Sequence, residues 1–208
     1  TFAEIHRAFL DHLVIFFRDQ ALSPANLLAF AARFGPIDPH PFLRGMDGHP
    51  EVLEIIRETT DRHIFAPGWH ADVTWKERPV LGSMLYALEV PECGGDTLFA
   101  NQYLAYEALS PGMKAALSRI RARHSGSYVY GGDEPERGTY VQKLKVDRSV
   151  AAKAESFHPV VRTHPETDRK ALFVNPGWTL GLEDMSDDEA GPLLGFLFDH
   201  GVRPEFTC

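Results

Sequence analysis

The hydrophobic residues at the start of the chain follow first a helical and then a strand-like spacing. From residue 2 to residue 13, apolar side chains recur at intervals of three and four positions, which predicts an amphipathic helix. The apolar run 13–17 that follows predicts a short buried strand. Ser23 and Pro24 then form a typical helix start, with serine as the N-cap and proline at the first helical position, and Gly35 is expected to close that helix.

Short apolar segments separated by proline and glycine predict strands in much of the remaining chain. Residues 80–90 are largely apolar, which is typical of a strand buried on both faces. Residues 52–56 and 97–100 predict two shorter strands. The segments 157–163 and 170–174 flank a polar turn that contains proline, and this arrangement predicts a β-hairpin.

Helices are predicted around these strands, over residues 103–109 and 111–117. Ser186 and Glu189 form a capping-box pattern, in which each side chain can bond the backbone of the other residue. They predict a helix that continues to about His200. A further strand is expected to begin at Phe206.

The order of these elements predicts one domain over residues 1–208, since no internal repeat or composition break divides the chain. Many short strands with helices around them favour a mostly β fold with peripheral helices, either a β-sandwich or a jelly roll. A polar stretch at about 131–156, rich first in glycine and then in lysine, predicts a flexible loop.

Charge and cysteine content exclude several classes of partner. With 21 basic and 29 acidic residues the formal net charge is −8, which argues against a general affinity for nucleic acid but not against a local basic pocket. Cys93 and Cys208 are the only cysteines and form no CxxC motif, so we expect a reducing, cytoplasmic location and no disulfide scaffold. The apolar runs are too short to cross a bilayer and no signal peptide is visible, so no membrane partner is expected.

His70 and Asp72 are the candidate metal ligands. On a strand or an extended turn, residues two positions apart point the same way, so an imidazole nitrogen and a carboxylate oxygen can reach one ion. With a distant histidine they would form the 2-His-1-carboxylate site of non-haem Fe(II) oxygenases, which leaves coordination positions open. The spacing alone is weak, because a chain with 10 histidines produces such a match by chance, and a surface His–Asp pair is the alternative.

The surroundings of this pair carry a wider resemblance. Residues 69–75 read WHADVTW, residues 78–79 are Arg-Pro, and residues 91–97 read PECGGDT. The motifs HPVVRTHP and ALFVN follow at residues 158–165 and 171–175. In this order and at these spacings, over nearly the whole chain, the motifs resemble the taurine/alkylsulfonate dioxygenase family of Fe(II)/2-oxoglutarate enzymes. The resemblance implies a double-stranded β-helix, that is, a jelly roll.

The resemblance implies a role for each of five residues. His70 and Asp72 correspond to two Fe(II) ligands, and Thr97 corresponds to the residue that hydrogen-bonds a carboxylate of 2-oxoglutarate. His40 falls where family members contact the anionic group of the substrate, and Trp178 falls on an aromatic wall of the substrate pocket. The implied enzyme is an oxidoreductase that uses Fe(II), 2-oxoglutarate and O₂ to hydroxylate a small anionic molecule. Simpler interpretations stay open. Thr97 could be a strand threonine, His40 a turn histidine beside prolines, and Trp178 a tryptophan of the core.

Two departures from the family pattern bear on the substrate. Members that use taurine carry a tyrosine where this chain has Leu43 and an asparagine where it has Ala66. Both changes remove polar groups that would hold a small zwitterion, so an alkyl sulfate, an alkyl sulfonate or an aryloxy acid is expected instead. The family's third metal ligand, a histidine, and its 2-oxoglutarate-binding arginine are expected beyond Cys208, so the jelly roll is expected to be incomplete at the C-terminus.

Two other functions remain compatible with the same residues. A metal hydrolase or a cupin-like isomerase could use His70 and Asp72 to hold Zn²⁺ or Mn²⁺, because these ligands accept several metals. The motif that ends in Thr97 argues against it, since hydrolysis needs no anchor for a keto acid. A non-catalytic homologue that lacks the third ligand is the other alternative. By analogy with the relatives, a homodimer or a homotetramer is expected.

Overall fold

A computed structural model of the chain describes residues 1–56, 68–127 and 155–208. The departure at Ala66 lies outside these residues, and so does most of the flexible loop predicted at about 131–156. At the end of that stretch, Glu155 and Ser156 belong to a strand that pairs with a neighbour.

Five helices lie in the described ranges, and local sequence explains where they begin. They are α1 (Phe2–His12), α2 (Pro24–Ala31), α3 (Gln102–Glu107), α4 (Pro111–Leu117) and α5 (Asp187–Gly201). The side chains of Ser23 and Ser110 cap α2 and α4, each followed by proline at the first helical position. Ser186 and Glu189 form the predicted capping box of α5. Among these helices, none combines the length and apolar character that a bilayer-spanning helix requires.

The strands of the described residues form two antiparallel sheets. They are β1 (Arg121–Ser125), β2 (Glu155–Pro159), β3 (Val161–Thr163), β4 (Lys170–Leu172) and β5 (Thr179–Leu182). One sheet has the order β2-β1-β5, and β3 pairs with β4 in the other. Thr163 pairs with Lys170, which confirms the predicted hairpin. The register of β1 against β5 shifts between Arg123 and His124, as at a β-bulge.

The main core lies between the helices and these sheets. Leu197 of α5, Ala105 of α3 and Ala122 of β1 are at most 1% exposed and belong to one cluster with Leu117 and Val160. Burying a leucine side chain contributes about 1.5–3 kcal/mol, so this cluster fixes α3 and α5 on the sheets. A second, smaller cluster consists of Phe42, Leu43, Val73, Trp75 and Trp178, and it lies beside the candidate site.

Several segments predicted as strands are not strands where the structure describes them. Residues 13–17, 52–56 and 80–90 form none, and residues 97–100 contribute only an isolated bridge between Ala100 and Thr207. A strand forms only where a neighbour accepts and donates its backbone hydrogen bonds, and the described chain places no neighbour beside these three segments. None of the residues in these three segments is buried, so their apolar character predicted neither the strands nor the burial correctly.

The predicted strand at Phe206 is also different in the structure. Residues Pro204–Phe206 form a 3-10 turn. The amide of Phe206 donates to the carbonyl of Arg203 within this turn at 2.9 Å, while its carbonyl accepts from the amide of Asn101 at 2.8 Å. Beyond the turn, the backbone amides of Phe99 and Cys208 each donate to the other's carbonyl, at 2.8 and 3.0 Å. Because the amide of Phe206 is used inside the turn, the segment forms an isolated bridge between Ala100 and Thr207 instead of the predicted strand.

Residues 81–98 form an exposed apolar segment. Leu85, Leu88 and Val90 are 77%, 80% and 72% exposed. Since exposed apolar patches promote association, we expect the 208-residue chain to bind a hydrophobic dye and to self-associate as its concentration rises. Each leucine buried by association contributes about 1.5–3 kcal/mol, so the double substitution L85K/L88K should weaken self-association at least about 10-fold in sedimentation velocity.

The control for this prediction keeps the leucines but makes the same change in net charge. The substitutions E89Q and E92Q raise the net charge by two, as L85K/L88K does, without removing apolar surface. Equal weakening by both pairs of substitutions would mean that charge, not the exposed leucines, controls association.

Candidate metal site

The candidate ligands lie on a turn that follows Gly68. Residues 72–75 turn instead of running as a strand, and the amide of Lys76 donates to the carbonyl of Val73 at 3.0 Å. Val73 has a φ of 47°, a left-handed conformation that β-branched residues rarely adopt. A residue persists in such a conformation only when its surroundings fix it, so the turn is held by its contacts with the rest of the molecule.

His70 and Asp72 converge at this turn. Nε2 of His70 lies 3.3 Å from Oδ1 of Asp72. Two ligand atoms that bind one ion at about 2.1 Å and at a right angle lie about 3.0 Å apart. The structure thus brings the two predicted ligands together at nearly the separation that one metal ion requires.

Hydrogen bonds orient both side chains for such an ion. Nδ1 of His70 lies 2.8 Å from the carbonyl oxygen of Gly68. A carbonyl oxygen only accepts, so Nδ1 carries a proton. Nε2, the atom nearer Asp72, then donates to Asp72 when the ring is protonated and offers a lone pair to a metal ion when the ring is neutral. The hydroxyl of Ser83 donates to Oδ2 of Asp72, which leaves Oδ1 toward His70. In metal sites, hydrogen-bond partners of the ligand side chains orient the ligand atoms toward the ion.

The charges of the pair favour a bound cation. The hydrogen bond with Asp72 raises the pKa of His70, and the same contact lowers the pKa of Asp72, with a further lowering from Ser83. Asp72 is therefore ionised at neutral pH, and His70 takes up a proton more readily than an isolated histidine. A metal ion at this position would replace that proton.

The donor set fits a divalent transition metal that needs further ligands. Imidazole nitrogen and carboxylate oxygen suit iron, manganese and zinc. No group of three histidine, cysteine or acidic residues that could hold a metal occurs in residues 1–56, 68–127 and 155–208. In these ranges, His70 and Asp72 are therefore two candidate ligands without a third beside them.

Aromatic side chains connect His70 with two other predicted site residues. The ring centroids of His70 and Trp178 are 6.5 Å apart, those of Trp178 and Trp75 are 6.4 Å apart, and those of Trp75 and His40 are 6.1 Å apart. His40 and Trp178 therefore share one aromatic wall with His70. Trp178 is only 7% exposed, so it also packs in the small core. Trp75 was not predicted as a site residue, although its place in the WHADVTW motif was a signal.

His40 is held as a neutral hydrogen-bond donor. The backbone amide of Phe42 donates to Nδ1 of His40 at 3.2 Å, so the proton of the ring lies on Nε2. Burial, together with the positive charge of Lys76, lowers the pKa of His40 to about 4. Lys76 itself bonds both carboxylate oxygens of Asp38, at 2.7 and 2.9 Å, which ties the loop of His40 to the turn of Asp72.

Thr97 is not brought to this pair. Gly94 and Gly95 have φ of 78° and 75°, left-handed values that glycine adopts readily, so the chain turns tightly before Thr97. Thr97 is exposed, and no hydrogen bond within the described part of the chain joins it to His70 or Asp72. Its role in holding 2-oxoglutarate stays a prediction. Leu43, the departure from the taurine-using pattern, is 6% exposed and packs in the small core.

A buried polar network anchors the turn to the sheet. Oγ1 of Thr74 lies 2.9 Å from Nδ1 of His124 on β1, and the amide group of Asn175 donates to the same Oγ1 at 3.4 Å. Oγ1 of Thr179 lies 3.4 Å from Nδ1 of His124. Thr74, His124, Asn175 and Thr179 are all less than 9% exposed. Sequence reasoning missed this network, because polar residues in a hydrophobic pattern are read as surface.

The strand β2 holds the other side of the turn. The hydroxyl of Ser156 lies 3.3 Å from the carbonyl oxygens of Thr74 and Lys76. Nε2 of His158 lies 2.9 Å from the carbonyl of Lys76. Because a carbonyl accepts only, both side chains donate to the turn. The turn is thus fixed from β1 and β2 together.

Comparison with known proteins agrees with the family that the sequence motifs resemble. A profile described as "Taurine catabolism dioxygenase TauD, TfdA family" matches residues 1–208. The chain is 36% identical over 208 residues to an alkylsulfatase of Acinetobacter baylyi, which covers 98% of this chain and 63% of that protein. It is 34% identical over 210 residues to an alpha-ketoglutarate-dependent sulfate ester dioxygenase of Pseudomonas putida, which covers 100% of this chain and 68% of that protein.

Solved structures share the fold. The crystal structure of a taurine dioxygenase from Burkholderia xenovorans matches with a TM-score of 0.75 and 34% identity, over 99% of this chain and 65% of that chain. The chain thus spans somewhat less than two thirds of the length of the alkylsulfatase and of this solved structure.

Proposed function

The chain belongs to the TauD/TfdA family of taurine catabolism dioxygenases, and we propose that it is a 2-oxoglutarate-dependent dioxygenase that holds Fe(II) on His70 and Asp72. The observation that carries the proposal is the convergence of Nε2 of His70 and Oδ1 of Asp72 at 3.3 Å. Gly68 and Ser83 hold the opposite atoms of the two side chains, as expected for metal ligands. When bound, Fe(II) supplies open coordination positions for a keto acid and for O₂.

The fold that we propose for this domain, residues 1–208, is the jelly roll, or double-stranded β-helix. The antiparallel pairing of β1 with β2 and β5 and the fold shared with a solved taurine dioxygenase support it. We also propose that a third ligand, a histidine, and an arginine that pairs with 2-oxoglutarate lie in sequence that follows Cys208. The greater length of the relatives supports this part of the proposal.

The remaining site residues bind and shelter the two organic molecules. We propose that Thr97 donates a hydrogen bond to the far carboxylate of 2-oxoglutarate, and that the N–H at Nε2 of His40 donates to the anionic group of the substrate. Trp178 and Trp75 would exclude water from the carbon that reacts. A neutral donor such as His40 binds an anion without the desolvation penalty of burying a second charge.

The substrate class that we propose is an alkyl sulfate ester. Two relatives, at 36% and 34% identity, are named an alkylsulfatase and a sulfate ester dioxygenase. Leu43, in place of a tyrosine, favours an alkyl chain over a small zwitterion. Hydroxylation of the carbon that carries the sulfate oxygen consumes one 2-oxoglutarate and one O₂ and yields succinate and CO₂. The hydroxylated ester then breaks its carbon–oxygen bond, and sulfate leaves with the hydroxyl proton while an aldehyde remains.

The test is a turnover assay, with Fe(II) and 2-oxoglutarate under air, of the full-length protein that includes the proposed sequence after Cys208. We expect alkyl sulfates to stimulate succinate release, with one sulfate formed for each succinate. Stimulation by alkyl sulfonates or aryloxy acids alone would support the dioxygenase but overturn the sulfate ester. Sulfate release without succinate would indicate metal-dependent hydrolysis. No succinate with any substrate would overturn the proposed function.

His40 allows a sharper test of anion recognition. The substitution His40→Phe keeps the ring that packs against Trp75 and removes the N–H donor. A hydrogen bond to a charged group contributes about 1.5–3 kcal/mol, so we expect kcat/KM for alkyl sulfates to fall about 10- to 100-fold. The exposed variant His12→Phe should leave kcat/KM unchanged. An unchanged kcat/KM in His40→Phe would remove His40 from the binding site.

The location and the assembly of the protein are also proposals. The two cysteines, Cys93 and Cys208, are exposed and form no disulfide, which supports a reducing cytoplasm. A homodimer or a homotetramer stays a prediction from analogy.

A further inference from the structure

Gly177 lies directly against the candidate ligand His70. A Cβ atom added to Gly177 would lie 2.8 Å from Cβ of His70 and 3.3 Å from Oδ1 of Asn175. Cβ atoms in proteins essentially never approach another heavy atom to less than 3.0 Å. A side chain at position 177 would therefore displace either His70 or the turn that carries Gly177.

The backbone itself does not require glycine at this position. The φ of Gly177 lies outside the left-handed range, in contrast to those of Gly94 and Gly95. Its φ therefore imposes none of the steric penalty that makes glycine the preferred residue in the left-handed region. The close approach of His70 is therefore the reason that a glycine is needed.

The turn around Gly177 is locked by its own hydrogen bonds. Oδ1 of Asn175 accepts from the amide of Trp178 at 3.0 Å, and Oγ1 of Thr179 accepts from the amide of Asn175 at 3.0 Å. The amide of Thr179 also donates to the carbonyl of Asn175 at 3.0 Å. Asn175 and Thr179 are 8% and 6% exposed, so water does not compete for these bonds.

The same turn is tied to the turn that carries Asp72. The amide group of Asn175 donates to Oγ1 of Thr74, two residues after Asp72. Both turns also contact His124 on β1, through Thr74 and Thr179. These bonds therefore fix the position of Gly177 relative to Asp72, and His70 contacts both residues.

We propose that the turn 175–179 is a positioning element for His70, with Gly177 as its point of contact. The turn closes the space behind the Cβ of His70, so that the imidazole stays beside Asp72 when no ion holds it there. Preorganisation of this kind raises metal affinity, because the ligand does not have to be ordered when the ion binds. The inference rests on the proposed function, in which His70 binds the metal.

The first test measures metal affinity. Mn(II) titration, with free Mn(II) followed by electron paramagnetic resonance, compares the wild-type protein with Gly177→Ala and with the control Gly195→Ala. A Cβ at Gly195, on α5, would meet no atom within 4 Å. We expect Gly177→Ala to lower the affinity about 10- to 100-fold, as loss of a residue that orients a ligand does, and Gly195→Ala to leave it unchanged. Equal affinities in the two variants would overturn the proposal.

The second test isolates the contact in the metal-free protein. His70→Gly removes the Cβ that a methyl group at position 177 would strike, whereas His70→Ala keeps it. We expect Gly177→Ala to lower Tm in the wild-type and His70→Ala backgrounds but not in His70→Gly. An equal loss of Tm in all three backgrounds would show that the contact with His70 is not the reason for the glycine, and would overturn the proposal.

The two tests separate this inference from the proposed function. A wild-type protein that binds no Mn(II) would overturn the metal site, while the Tm comparison would still decide the contact between positions 177 and 70. A wild-type protein that binds Mn(II) as tightly as Gly177→Ala does would overturn only the positioning role.

Discussion

Replacing Asp72 by asparagine is expected to lower the affinity for Fe(II) by more than about 100-fold and to abolish substrate-dependent succinate release. Loss of a residue that merely orients a metal ligand lowers affinity about 10- to 100-fold, and loss of a ligand's charge should exceed that. Asparagine keeps the size of the side chain and can still accept from Ser83. The effect therefore measures the loss of the carboxylate charge beside His70.

Two further variants provide reference values for the loss of Fe(II) affinity in Asp72→Asn. Ser83→Ala removes the donor to Oδ2, so we expect the smaller loss of about 10- to 100-fold. Asp199→Asn changes an exposed carboxylate on α5 and should leave Fe(II) affinity unchanged. Isothermal titration under anaerobic conditions gives all three affinities. An Asp72→Asn protein that binds Fe(II) like Asp199→Asn would exclude Asp72 as a ligand.

Protonation of His124 is expected to make the fold less stable in acid. Burial lowers the pKa of His124 to about 4, and the neighbouring His158 contributes in the same direction. The unfolded chain binds this proton at a pKa of about 6.5, so it holds more protons than the folded chain between about pH 6.5 and pH 4. The free energy of unfolding therefore falls as the pH falls through that window. His124 alone should account for roughly 3 kcal/mol of the loss.

The measurement is urea unfolding at pH 7 and at pH 4.5. In His124→Asn, the amide can keep the bond to Thr74 but has no proton to gain, so stability should fall less with pH than in the wild-type protein. The exposed variant His12→Asn should keep the wild-type dependence. If His124→Asn also kept it, protonation of the network around Thr74 would not limit stability in acid.

Helix starts were predictable because their signals are local. The hydroxyls of Ser23 and Ser110 each accept from a backbone amide three residues further on, and the backbone amide of Ser186 donates to the side chain of Glu189, also three residues on. The sequence of a single turn therefore contains the information. The predicted starts at Ser23 and Ser186 are confirmed, and so is the hairpin of β3 and β4, whose two strands are joined by a short turn.

Strand predictions depended on contacts that hydrophobicity does not encode. Residues 80–90 were predicted as a strand from their apolar character, yet Leu88 is 80% exposed. The strand β1 was missed for the opposite reason. Its buried side chains are Ala122, His124 and Ser125, and an inward histidine and serine do not form an apolar alternation.

Only the residues of the site that lie in recognisable sequence motifs could be predicted. The pair His70 and Asp72 was found from its spacing and its neighbours, and the profile match confirms the family that those neighbours indicated. The roles of Ser83 and His124 were not visible, because they arise from contacts across 11 and 50 residues of sequence. Their hydrogen bonds exist only once the chain has folded.

The aromatic wall gives the protein a built-in optical signal. The three tryptophans of the chain are Trp69, Trp75 and Trp178. Trp69 precedes His70 in sequence, Trp75 follows it, and the ring of Trp178 lies beside the ring of His70. Indole fluorescence of the whole chain therefore originates beside the candidate ligands, where a paramagnetic ion quenches excited indoles at short range. Emission intensity should report occupancy of the site directly, so that binding and release can be followed in real time in a stopped-flow instrument without an added label.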